Sequence, residues 1–411
     1  MRFDLLVKGG DVVDPQAGYS GPMDVAVRRG RIAAVEPHIP AAAAGEVIDA
    51  AGQFVVPGLI DMHAHLYKGV TFWGIDADAF GSLAGVTTWV DAGSSGALNL
   101  QGYRDFIIER SRVRQLAFIN ISAIGLVGQN YELTIPEYCD PGILGKVANL
   151  HRDIVVGIKI RTGRSGGARD LLPLERTRQA ADDLELPVML HISSSPPDIK
   201  TAIGYLKPGD ILTHCYTGHT MKLTGDDGKI IPEVKKAIDE GVLMDLGHGS
   251  GSFSFDTAEA LTGQGYWPHF VSTDLHSMSV HGGNLMKPGD SAADAAPIKY
   301  QVRGDGTPVF GMLDCMEKML YLGMPFSKII EATTSRPAEF LGLKKEIGTL
   351  KPGACADITG LIVEKKTREL VDIHGQKRRG SERVRHAFTV LGGRRFPPFG
   401  TPVPPPWIET V

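Results

Sequence analysis

Eight short apolar runs, at 59–65, 86–92, 116–124, 154–160, 187–193, 211–217, 243–248 and 269–275, limit what this chain can become. Each has the length of a strand buried on both faces, and stretches at 103–114, 174–183 and 232–240 lie between runs with helical periodicity. Strand–helix units repeated in this way satisfy a parallel barrel, whose sheet keeps both faces away from water. A doubly wound open sheet competes with it, but would want a glycine-rich phosphate turn after an early strand, and none is evident. The expected fold class is therefore α/β, a (β/α)8 TIM barrel.

Residues 1–56 read instead as three successive hairpins, with turns at Gly10, Gly30 and Gly52 between short alternating runs. Strand-like runs return at 356–363 and 384–391. The simplest topology inserts the barrel, residues 57–345, between the two halves of one small β-sandwich domain, 1–56 and 346–411. The charged stretch 364–385 fits a solvated hairpin or loop. The proline-rich tail 396–407 fits an arm packed on this subunit or a neighbour.

With 43% hydrophobic and 22% charged residues, the 411-residue chain can bury a large core. A net charge of −4 supplies no basic surplus for phosphate backbones or anionic lipid, so no nucleic-acid or membrane partner is expected and the substrate should be small. Cys139, Cys215, Cys315 and Cys355 stand too far apart for a structural zinc knuckle and do not suggest a disulfide framework. No signal peptide is read at the amino terminus, and no apolar stretch approaches the ~20 residues of a membrane span. A cytoplasmic homo-oligomer is the expectation.

Several runs end in groups that bind metals. His63 and His65 follow Leu59-Ile60-Asp61-Met62 at i and i+2, a spacing that puts two strand side chains on one face. Alone, such a pair is weak. His191 closes 187–190, however, His214 closes 211–213, and Asp274 closes 270–273, each at the strand end where barrels keep their chemistry. Lys159 lies within Gly157-Ile158-Lys159-Ile160-Arg161, where an unpaired ammonium would carry a large desolvation cost. Two remedies are open. Asp91 or Asp274 could pair with it, or carbon dioxide could carboxylate the amine, giving a carbamate able to bridge two cations ~3.5–4 Å apart.

At this point the chain resembles the amidohydrolase superfamily. The resemblance rests on Val56-Pro57-Gly58-Leu59-Ile60-Asp61-Met62-His63-Ala64-His65, Gly85-Val86-Thr87-Thr88, Gly157-Ile158-Lys159, Thr213-His214, Ser272-Thr273-Asp274 and Ile347-Gly348-Thr349-Leu350-Lys351-Pro352-Gly353 followed by Ala356-Asp357. It covers nearly the whole chain. Within the superfamily the chain is similar to the binuclear group of dihydroorotases, hydantoinases and D-aminoacylases. It looks most like a dihydroorotase-like deacetylase branch with Gly-Ile-Lys-x-Arg on strand four and His-Gly-x-Gly-Ser-Phe after strand seven, here His248 to Phe253. The resemblance implies two divalent ions, usually zinc: one held by His63, His65 and Asp274, the other by His191 and His214, with N6-carboxylated Lys159 as bridge. It also implies hydrolysis of an amide or ester through a metal-bridging hydroxide, with Asp274 as the general base and acid.

Mononuclear deaminases of the superfamily also use His-x-His, but they typically place a glutamate near the strand-five or strand-six histidine and lack the strand-four lysine. Here the segment after His214 is Cys215-Tyr216-Thr217-Gly218-His219. Non-catalytic relatives have usually lost ligands, whereas all six positions are filled. Dihydroorotases usually carry an arginine two residues after the second histidine, and this chain has Tyr67. The expected enzyme is therefore a deacetylase or esterase acting on an acylated amino or hydroxy acid with a free carboxylate, a substrate class supplied by the resemblance; cyclic amide hydrolysis is the alternative. Arg161, Arg164 and Arg169 are the cationic candidates for that carboxylate, Arg161 first because it shares the face of Lys159. His248 either touches substrate or is structural. His219, His276 and His281 are weaker candidates, and Asp61 is read as a group that orients the histidines.

Overall fold

The computed structural model describes residues 2–281, 283–285, 296–298 and 310–398. Five strands open the chain: β1 Phe3–Asp14, β2 Tyr19–Arg28, β3 Arg31–Glu36, β4 Ala44–Asp49 and β5 Phe54–Pro57. The β2–β3 hairpin turns on Arg29 and Gly30, both left-handed at φ 50° and 73°, the geometry of a two-residue turn that matches strand twist. The expected turn at Gly10 is not there. β1 runs straight through that residue and pairs β4 along residues 3–8 and β5 along 11–12, both parallel. A side chain at Gly10 would overlap Val55, so this glycine permits close strand approach rather than reversal. Likewise, Gly52 lies between two strands that both lie beside β1 rather than against each other.

The barrel follows as β6 Leu59–Ala64, β7 Val86–Gly96, β8 Arg114–Asn120, β9 Val155–Arg161, β10 Val188–His191, β11 Ile211–Thr213 and β12 Leu243–Asp245, each parallel to the next. The eighth expected run, 269–275, forms no regular strand. It closes the ring through single parallel bridges, Asp245 to Phe270 and Leu275 to Ala64. Helices α1 Ala77–Ala84, α2 Leu100–Phe106, α3 Pro141–Leu150, α4 Leu172–Leu184, α5 Ile199–Ile203, α6 Pro232–Asp239 and α7 Phe255–Thr262 alternate with these strands. Asp76, Asp140 and Asp198 cap three of them, and Gly85, at φ 77°, ends α1. The helix expected at 103–114 stops at Phe106, then gives a 3-10 turn and strand β8. The carboxylate of Asp78 takes the N–H groups of Arg112 and Val113 and so extracts the chain from the helix.

After the eighth stave come α8 Ser277–His281, a short ribbon of β13 Gly283–Leu285 with β14 Ala296–Ile298, and helices α9 Met312–Tyr321, α10 Phe326–Thr333 and α11 Ser335–Phe340. β15 Ile358–Val371, β16 Lys377–Leu391 and β17 Arg394–Arg395 then return to the first sheet. Its order is β17-β16-β15-β5-β1-β2-β3, with β4 also on β1, so both ends of the described chain build one sheet. The charged stretch 364–385 spans most of the β15–β16 hairpin. The tail from residue 399 onward lies outside the described residues.

Inside the ring, Ile60, Met62, Val90, Ala92, Leu116, Phe118, Met189, Ile211 and Phe270 form one apolar cluster closed from below by Phe340. This plug leaves only the carboxyl ends of the strands free for polar groups.

Candidate metal centre

At those ends the β6–β7 pairing slips register between Asp61 and Ala64. Just beyond the inner residues Ile60 and Met62, His63 and His65 meet with ring centroids 5.7 Å apart. Asp274 joins them. Its Oδ1 lies 3.3 Å from His63 Nε2 and 3.1 Å from His65 Nε2, and all three ligand atoms fall within 4.8 Å of one another. The backbone turns at φ 47° to aim this carboxylate, a left-handed conformation rare for a residue other than glycine. Burial pushes the Asp274 carboxyl upward, but His63 and His65 outweigh it and hold the group well below the usual carboxylate range.

The other faces of the histidines are already occupied. His63 Nδ1 lies 2.8 Å from Thr213 Oγ1 and 3.2 Å from Asp245 Oδ2, while Thr213 donates to that same Asp245 oxygen. His65 Nδ1 lies 3.0 Å from Ser94 Oγ. His214, itself at φ 66°, has Nδ1 2.6 Å from the Gly247 carbonyl, which only an N–H can satisfy. Its proton is thereby fixed on Nδ1, leaving the Nε2 lone pair facing His191 Nδ1 at 2.7 Å. Burial lowers the His214 imidazole to about 3 and takes His191 well below the ordinary value, so both are neutral, the form that binds a cation.

Lys159 completes the group. Its side chain is 2% exposed and passes Gly93, where a Cβ would stand 2.5 Å from Lys159 Cβ. Its Nζ lies 3.3 Å from His63 Nε2 and 3.4 Å from Met189 Sδ, and Lys159 makes no ion pair among the described residues. Asp91 is engaged elsewhere, accepting the N–H groups of Leu66 and Ser94. Burial pushes the Lys159 ammonium down to about 8, against the pull of Asp274 and Asp245. The donor set therefore fits divalent cations: three histidines with anchored Nδ1 atoms, an ionised carboxylate, and a buried amine that makes no ion pair among the described residues. His191 Nε2 is in addition buried with no hydrogen-bond partner among the described residues.

Above this group opens a cavity of about 390 Å3, with Trp73, Asn120, Tyr131, Arg161, Arg164, Ser193, His219, Ser250 and His276 among its walls. The arginine candidates divide here. Arg161 lines the cavity, but its Nε and Nη2 form a fork with Glu132 at 2.8 and 2.6 Å, and Nη2 also donates to the Gln129 carbonyl. It therefore sits in a neutral pair, and its Nη1 makes no hydrogen bond among the described residues. Arg164 lines the cavity and is exposed, whereas Arg169 is exposed and lies outside the lining. His248 is also outside the lining: it is fully buried, stacked between Phe253 and Phe310. Asp61 accepts from the N–H of His63 and from both donors of Thr273, so it braces the backbone beneath the candidate ligands. The side chain of His281 lies outside the described residues.

Two amidohydrolase-family models match the chain, over residues 46–99 and 289–380. A deacetylase of Agrobacterium fabrum is 33% identical over 88% of this chain and 84% of its own, and a deacetylase of Enterococcus faecalis is 31% identical over 96% and 100%. Among solved structures, an adenine deaminase superposes with a TM-score of 0.83 at 30% identity, covering 96% of this chain and 99% of that one. A dihydroorotase superposes at 0.81, also at 30% identity, covering 95% and 98%. With relatives at this identity over nearly its whole length, the chain belongs to the amidohydrolase family and is a hydrolase.

Proposed function

We propose that this hydrolase is a binuclear metal-dependent deacetylase that removes a small acyl group from an acylated amino or hydroxy acid bearing a free carboxylate. The observation that carries the reading is the Lys159 amine, buried beside His63 and in ion-pair contact with no carboxylate among the described residues. Lowered to about 8, it has a substantial neutral fraction near physiological pH, when its lone pair can attack carbon dioxide. The new N–C bond and the loss of one proton make a carbamate, which replaces a misplaced cation with an anionic ligand. His63, His65 and Asp274 would hold one ion, His191 and His214 the other, and carboxylated Lys159 both.

When bound, such a pair of divalent cations, zinc in this reading, polarises the scissile carbonyl and makes water acidic enough to attack it near neutral pH. Asp274 takes the proton of that water and returns it to the departing amine or alkoxide. Its carboxylate oxygen, 3.3 and 3.1 Å from the Nε2 atoms of His63 and His65, stands where it can make that transfer. Arg164 and the Nη1 of Arg161 grip the substrate carboxylate, and the wall of Trp73 and His276, in edge contact at 4.7 Å, shields the reacting bond from bulk water. Two relatives named deacetylases support the choice. The dihydroorotase likeness makes cyclic amide hydrolysis the second reading. Deamination is disfavoured, because no glutamate stands among the described residues lining the cavity to protonate departing ammonia.

A screen of zinc-loaded protein prepared with bicarbonate tests this. It uses R and S N-acetyl amino acids and O-acetyl hydroxy acids, with dihydroorotate, hydantoins and adenine as rivals. Acetate release is expected; ring opening alone would select the cyclic amidase, and ammonia alone the deaminase.

A further inference from the structure

Behind the site, and unused by the chemistry above, lies a set of four charges, three of them buried and the fourth, Arg368, partly exposed. Lys318 on α9 is fully buried, with Nζ 2.9 Å from Asp314 Oδ2 and 2.7 Å from His248 Nε2. Arg368, from the β15–β16 hairpin of the other sheet, donates to Asp314 at 2.7 Å and also pairs with Glu317. Two acids and two bases balance, but burying three ions fully and Arg368 in part costs about as much as their attraction returns, and an apolar cluster of equal volume would serve stability as well. A role in holding something in place explains them better.

What they hold is visible along the hydrogen bonds. An ammonium has only donors, so His248 Nε2 must accept from Lys318, which puts the imidazole proton on Nδ1, 2.8 Å from the Gly249 carbonyl. Phe253 and Phe310 clamp the ring at 4.6 and 5.0 Å, and the Lys318 ammonium lies 5.2 and 4.8 Å from the same two ring centroids. Gly249 donates its own N–H to the Thr273 carbonyl at 2.8 Å, and His248 donates to the Ser272 carbonyl at 3.2 Å. These are the two residues before Asp274. Gly249 also packs so closely that a Cβ on it would stand 2.5 Å from Asp274 Oδ2. We infer that Lys318, acting through His248, is a positioning residue for Asp274, and that Arg368 ties this setting to the small sheet.

The inference rests on Asp274 as ligand and proton carrier, so the test needs a readout independent of substrate. Lys318→Met and the charge-balanced Lys318→Met/Asp314→Asn would be compared with the parent for kcat, KM, thermal midpoint and the rate at which a chelator strips zinc. A loss of about ten-fold in kcat with KM within about two-fold, and zinc release faster by about ten-fold, is expected from a folded variant. A folded variant with parental kcat and zinc retention overturns the inference. Should neither fold, Arg368→Gln decides: a kcat reduced about three-fold at unchanged KM supports the inference, and parental kcat overturns it. If the parent itself releases no acetate from any substrate, the deacetylase reading fails, while chelator release still decides this one.

Discussion

An amine held between an imidazole nitrogen and a thioether has no reason to persist in a core unless something else binds it. Lys159→Ala should therefore lose zinc, measured by elemental analysis after dialysis, and about 100-fold or more in kcat, with partial rescue by short carboxylic acids that refill the bridge. Parental activity in that variant would remove the carbamate from the mechanism. The candidate ligands His63, His65, His191, His214 and Asp274 were picked out of the sequence because each stands at the end of an apolar run, and strand ends face the mouth of a barrel; Lys159 lies inside its strand and was picked out by its charge. Asp245 ends 243–245 in the same way and could have been found by that rule, although it supports His63 rather than the cavity. The pairing of Arg161 with Glu132 was not legible. It joins a strand to a loop 29 residues away, and no local pattern records which arginine acquires a partner.

Among the eight expected staves, the segment that carries Asp274 is the one that forms no regular strand. A regular eighth strand would not turn at φ 47°. It is bridged at both ends and held from the side by the loop 247–249, with glycines at φ 45° and 57°. Gly249→Ala should cost about 1–2 kcal/mol from its left-handed backbone, read by urea unfolding. It should also depress kcat more than that small loss implies, because the new methyl displaces the Asp274 carboxylate. Stability lost with kcat intact would show that the loop is only structural. Apolar runs located the staves well, since burial on both faces leaves a plain compositional mark. They did not reveal that β4 and β5 lie parallel to β1, because a glycine turn permits reversal without saying which strand receives the chain. Helix 103–114 failed for a related reason: its competitor, the Asp78 carboxylate, comes from a distant position.

At the scale of the molecule, the two sheets are coupled where the β15–β16 hairpin meets α7 and α9. Asp372 at the hairpin tip accepts the N–H of Phe255, the first residue of α7, whose own cap residue Ser254 makes no side-chain capping bond. Asp372→Ala should lower stability by about 1–2 kcal/mol, as removal of a helix cap does, measured from the urea midpoint at unchanged slope. No change would mean that water caps α7 equally well. The insertion of a barrel within a sheet was legible because strand-like runs return after the last helices, but the cap across the junction was not. The pairing of Pro57 with Ile358 has a further consequence, for synthesis. Domains tend to form from the amino terminus as the chain emerges, so β5 must wait with a bare edge until the whole barrel has left the ribosome. A chain that stalls before β15 would offer that edge to other nascent copies, making late truncations sticky even when their catalytic half is complete.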